Sequence, residues 1–120
     1  MTIESLAFIE RLLTENNINY EFVEWTGENI YPYFVGEYQE IEAINEDAQE
    51  STFILTGFTR GTWSELEHAK QTILNAVNIT TILPNGNGIA VSYSNSLIVP
   101  TGDEDLKRIQ INLRIKEWKV

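Results

Sequence analysis

Few side chains in this sequence have a claim on chemistry. The sole histidine, His68, follows Glu65 by three residues, the Glu-x-x-His spacing by which carboxylate-bridged di-metal proteins set two ligands on one helical face. Such a centre needs a second Glu-x-x-His, and the chain has none. As a general base, His68 has no cysteine to activate, and no serine stands in a Gly-x-Ser-x-Gly turn. Asp103-Glu104-Asp105 offers carboxylates without the ligand spacing and closing glutamate of a calcium loop, so it reads as a charged turn. Gly86-Asn87-Gly88 is too short for a phosphate-binding loop, which must lead from a strand into a helix. The expectation is a protein without catalytic residues, metal or cofactor, acting through its surfaces.

Charge is the more informative feature. The net charge is −10, yet residues 1–50 hold twelve acids and one base, Arg11, while residues 51–120 hold six acids and seven bases. The first part is therefore −11 and the second +1. In the last fourteen residues Lys107, Arg108, Arg114, Lys116 and Lys119 face one acid, Glu117. A small protein with one acidic and one basic region suits head-to-tail contact with copies of itself, although solvated faces would carry the same pattern. The excess of acid argues against specific nucleic-acid binding, which depends on neutralising phosphates.

These residues must be positioned by a modest framework. The 120 residues fit one domain, spanning 1–120, and 42% hydrophobic and 11% aromatic content is enough to close a core. There is no cysteine, the N-terminus lacks a basic start, and no apolar run approaches the roughly 20 residues of a membrane span. Neither secretion nor membrane association is expected, so Asn78-Ile79-Thr80 reads as a chance glycosylation match.

Ile3, Leu6, Ile9, Leu12 and Leu13 recur at helical spacing behind Thr2, a capping residue. Residues 20–25 and 30–35 read as strands, with Pro32 placing the second at an edge or bulge. Glu37 to Glu50 contains six acids and no base, which reads as a long hairpin connection or a mobile flap. A strand over 53–58 leads to Thr62-Trp63-Ser64-Glu65, the pattern of a capping box. The helix it opens buries Leu66, Ala69, Ile73, Ala76 and Val77.

A hairpin follows over 79–83 and 89–93. In the last strand Ile109, Ile111, Leu113 and Ile115 alternate with Gln110, Asn112, Arg114 and Lys116. The order of elements predicts an α+β fold, a mixed or antiparallel sheet with two helices packed on one face.

With these residues laid out, the chain resembles the tail terminator, or tail-completion and head–tail joining, proteins of long-tailed bacteriophages. The resemblance rests on Tyr31-Pro32-Tyr33-Phe34-Val35-Gly36-Glu37 after an N-terminal helix, on the strand-to-helix run from Phe53 to Glu67, and on the closing hairpin 89–93 with the alternating strand 106–118. It implies a structural virion protein, made in the host cytoplasm, that forms a ring, commonly a hexamer. The ring would cap the tail tube and join the head connector, making the major tail tube protein and a head-completion protein its partners.

A head-side connector or stopper would share this ring logic, whereas an unrelated protein-binding module would form no ring. On the terminator reading Arg108, Arg114 and Lys116 are candidate subunit-interface residues. Glu37, Glu40, Glu42, Glu46 and Asp47 are candidates for a channel lining that repels DNA, or for a docking flap.

Overall fold

The structure is a computed structural model, and it describes residues 1–41 and 48–119. Helix α1 (Ile3–Glu15) begins where the Thr2 hydroxyl accepts a hydrogen bond from the Ser5 amide at 3.1 Å. It ends where Asn17 turns to φ 61°, a left-handed conformation that asparagine tolerates better than most residues. Helix α2 (Trp63–Val77) starts at Thr62, whose hydroxyl accepts from the Glu65 amide at 3.3 Å.

Among the described residues six strands form one sheet: β1 (Tyr20–Phe22), β2 (Tyr33–Glu40), β3 (Ala48–Thr59), β4 (Ile79–Ile82), β5 (Gly88–Ile98) and β6 (Lys107–Trp118). Their spatial order is β1-β2-β3-β6-β5-β4. Only the β1·β2 pair is parallel; the other four are antiparallel. The fold is thus α+β, a single domain built on a mixed sheet, as the element order predicts.

Both helices lie on the same face of the sheet. Side chains alternate across a strand, and the inward set is Phe53 and Leu55 of β3, Ile109, Ile111, Leu113 and Ile115 of β6, Ile89 and Val91 of β5, and Phe34 of β2. They pack with Phe8, Ile9 and Leu13 of α1 and Leu66, Ile73 and Val77 of α2 into one cluster. Gly57 sits opposite Phe34 in the ladder, and a Cβ there would stand 2.3 Å from the Phe34 ring. Glycine at 57 lets this aromatic ring lie flat over the neighbouring strand.

Several strands exceed the reach expected from pattern. β2 and β3 pair as far out as Glu40 and Ser51, so the expected flap over 37–50 is instead two strand ends for its described residues. β3 extends because β6 pairs with it along its whole length, from Ala48 with Trp118 to Thr59 with Lys107. That ladder recruits the polar stretch Gln49-Glu50-Ser51-Thr52, which has no hydrophobic alternation of its own.

β5 likewise runs on to Ile98, past an irregularity between Tyr93 and Asn95. β1 is shorter than the expected 20–25, since Val23 adopts φ 72° and breaks the extended run. β2 begins immediately after Pro32, where a missing N–H costs the ladder nothing.

Candidate subunit interface

Among the described residues no helix covers the other face of the sheet, and the ladder registers set its side chains in rows. One row runs Gln39–Thr52–Arg114–Ser92, and the next Glu37–Ile54–Asn112–Asn95. Beyond them lie Val35–Thr56–Gln110–Leu97 and then Tyr33–Phe58–Arg108. Lys116 stands opposite Glu50 on one side and Ala90 on the other. The face is therefore basic along β6 and acidic toward β1 and β2, where Glu21 and Glu37 project on the same side.

Arg114 and Lys116 are exposed and make no ion pair among the described residues. Arg108 differs from them. It is half-buried, its Nη2 donates to the Pro100 carbonyl at 3.0 Å, and its Nε is buried with no partner among the described residues. Its first role is to hold the 99–106 connection against β6, so two of the three expected interface cations are free to meet a partner. At the same end of the face Trp25, Tyr33 and Phe58 stack in sequence, with ring centroids 4.8 Å and 5.3 Å apart. Burial pushes the Tyr33 hydroxyl above its ordinary pKa.

The acidic candidates do not form one surface. Glu37 is exposed on the open face, whereas Glu40, three positions on, turns to the helix side and meets the amino group of Met1. A strand reverses its side chains at every residue, so positions 37 and 40 cannot line the same wall. Glu42, Glu46 and Asp47 lie outside the described residues.

The groups with catalytic or metal-binding residue types fall elsewhere. Glu65 and His68 border a cleft of about 810 Å³ between the end of α1 and the start of α2, together with Asn16, Asn17 and Asn19. The Glu65 carboxylate is engaged by the Thr59 hydroxyl at 3.0 Å, and His68 is exposed. Asp103 closes its own turn, accepting from the Asp105 amide at 2.9 Å and from Arg60 at 3.3 Å. Those contacts, the backbone amide of Asp105 first, hold its carboxyl below the usual range. Among the described residues no cluster of three or more histidine or acidic side chains could hold a metal, and no helix is long and apolar enough to cross a membrane.

No protein-family model matches the chain, and no curated protein matches it by sequence. Solved structures do. A chain in the virion of a native gene transfer agent (GTA) particle superposes with a TM-score of 0.68, covering 89% of this chain and 84% of that one, at 11% sequence identity. The fold is shared with a virion protein. At that identity the likeness concerns architecture, and it extends over most of both chains.

One residue of the described structure was missed as a polar anchor. Glu117 is buried on the helix side of β6, accepting from the Thr2 hydroxyl at 2.8 Å, the Thr2 amide at 3.4 Å and Asn87 at 3.1 Å. Burial raises its carboxyl pKa, but the hydrogen bonds from Asn87 and Thr2 outweigh it and hold the group below the usual range. The signal lay in the alternation itself: position 117 continues the inward series 109, 111, 113 and 115.

Proposed function

We propose that this chain is a structural virion protein that assembles with copies of itself into a ring, commonly a hexamer, acting as a tail terminator. The ring caps the tail tube and offers the surface on which the head connector docks, so the tube protein and a head-completion protein are its partners. The observation that carries the reading is the open sheet face: cations at Arg114 and Lys116 stand in the middle of the sheet, and carboxylates at Glu21 and Glu37 stand toward one edge. Opposite charges on two separate patches favour a heterologous contact, the kind that closes into rings. The fold shared with a gene transfer agent virion chain supports the same reading, as does the acidic balance, which would keep passing DNA from sticking.

No catalytic role is included. Glu65 is engaged with Thr59, and the Asp103 carboxylate is spent on its own turn and on Arg60.

The test is to incubate purified protein with tail tubes that lack a terminator and to image the mixture by negative stain. Annular particles seated on one tube end, together with tubes of uniform length, are the expected result. Binding to DNA-filled heads in preference to tubes would place the protein on the head side of the joint. Binding to neither would overturn the proposal.

A further inference from the structure

The two edges of the sheet are built differently, and the difference points to how copies join. β4 covers the outer edge of β5 only from Gly88 to Val91. From Ser92 to Ile98 no backbone group among the described residues pairs with that outer edge. Natural proteins guard such edges with charges or proline. This stretch, Ser92-Tyr93-Ser94-Asn95-Ser96-Leu97-Ile98, has neither, and only the irregularity at Ser94 interrupts it. Leu97 and Ile98 are 48% and 58% exposed, on opposite faces of the strand.

At the far side of the sheet, no strand among the described residues pairs with the outer edge of β1, whose outward Phe22 carbonyl accepts only locally, from the Glu24 amide at 2.9 Å. It is three residues long, so it would fit within the open stretch of β5 without meeting β4. Phe22 and the adjoining Val23 are 42% and 62% exposed. Val23 holds φ 72°, a costly conformation for a β-branched residue, and most of its side chain lies exposed.

We propose that β1 of a second copy of this chain pairs with the open edge of β5, continuing the sheet from subunit to subunit. This inference rests on the self-assembly proposed above and supplies its contact. Polarity favours it. β2, β3, β6 and β5 alternate in direction and β1 runs parallel to β2, so a continued sheet sets β1 antiparallel to β5. The apolar lips also match: Phe22 projects on the helix side, as Ile98 does.

Charge separates this pairing from its alternatives. Glu21, on the open face of β1 with its carboxylate held by the Thr26 amide at 2.8 Å and hydroxyl at 2.9 Å, would bring its negative charge two strand spacings, roughly 10 Å, from the cations of β6. β1 against β1 would instead bring together two segments carrying Glu21 and Glu24. Because the patches differ, the contact is heterologous, and the twist added at each joint turns a line of subunits toward closure.

The chain contains no cysteine, so introduced thiols report contacts without background. With β1 antiparallel inside the open stretch and Phe22 on the helix side, Phe22 falls opposite Ser96, which shares that side, and Tyr20 opposite Ile98. Ser96→Cys protein and Phe22→Cys protein, one carrying an affinity tag, are mixed under assembly conditions and oxidised. The expected product is the mixed Phe22→Cys/Ser96→Cys disulfide, at least tenfold above either self-disulfide. A second variant, Ser94→Lys with Leu97→Lys, guards the edge. Its circular dichroism and melting should match the parent, and its assembly should be lost.

If the parent assembles but the Ser96→Cys self-disulfide dominates, or the guarded variant assembles as the parent does, this pairing is overturned while the ring reading stands. If the parent forms no assembly at any concentration or on any tube, the ring reading fails and takes this contact with it.

Discussion

The Thr2 hydroxyl donates to the Glu117 carboxylate at 2.8 Å, joining residues 115 positions apart in the chain. The same hydroxyl accepts from the Ser5 amide at 3.1 Å and so caps α1. The start of the first helix is thereby fixed to the end of the central strand, and Asn87 adds the β4–β5 turn to the same carboxylate.

Glu117→Ala would leave Thr2 and Asn87 without their acceptor, and the expected loss is about 1–3 kcal/mol, the cost of unsatisfied buried partners. Chemical denaturation at neutral pH measures it. The pH dependence gives a separate check. The folded carboxyl pKa lies below its unfolded value, near 4.3 for glutamate, so ionised Glu117 stabilises the fold above that value. The contribution shrinks as pH drops past about 4.3 and is gone once pH falls through the lower folded pKa. The stability gap between parent and Glu117→Gln should therefore narrow on acidification through this window; a gap that stays constant from pH 7 to pH 3 would refute the assignment.

Gly57→Ala should be among the more damaging single substitutions in the sheet. The new Cβ would lie 2.3 Å from the Phe34 ring, and relieving such a clash in a packed core costs typically about 1–3 kcal/mol. Combined with Phe34→Leu, which gives the methyl group room, the glycine substitution should cost distinctly less than it does alone. Urea titration of the four proteins reads the coupling, and strict additivity would show that the Phe34 ring is not what excludes a side chain at 57.

The start of α2 distinguishes the pattern in the sequence from the contacts in the fold. Thr62-Trp63-Ser64-Glu65 spells a capping box, and Thr62 does cap the helix. The Glu65 side chain, however, goes to the buried Thr59 at the end of β3. Thr62→Ala should cost about 1 kcal/mol as a lost cap. A double-mutant cycle should find coupling of about 0.5 kcal/mol or more between Thr59→Val and Glu65→Ala. A cycle in which Thr59 and Glu65 prove independent would contradict the observed geometry.

How far the sequence could be read follows the range of the interactions. Both helices and the alternating strand β6 were legible, because Thr2, Thr62 and the isoleucines at 109, 111 and 115 act through local spacing. The outer halves of β2 and β3 were not, since Glu37 to Glu40 and Ala48 to Ser51 become strand only through the β3·β6 ladder. Arg114 and Lys116 were placed on the open face by alternation alone. Arg108 shares their parity, and nothing local reveals that its guanidinium turns back to Pro100. Glu37 and Glu40 look alike in a run of acids until strand geometry sends them to opposite faces.

Charge reversal on β6 tests the function. Arg114 and Lys116 are exposed and make no ion pair among the described residues, so replacing Arg114 with glutamate should leave stability within about 0.5 kcal/mol of the parent, and replacing Lys116, which stands opposite Glu50, should cost about 1 kcal/mol at most. Assembly is a different matter. The altered strand would face the carboxylates of a neighbouring copy, and like charges set together at an interface can cost several kcal/mol. Light scattering and tail-completion assays at low salt should show assembly reduced at least tenfold. Since the Debye length falls from about 10 Å at 0.1 M salt to about 3 Å at 1 M, added salt should restore much of it. Lysine in place of Arg114, which keeps the charge, should assemble nearly as the parent does. A doubly reversed protein that forms rings and completes tails as well as the parent at low salt would mean that the cations of β6 take no part in joining the subunits.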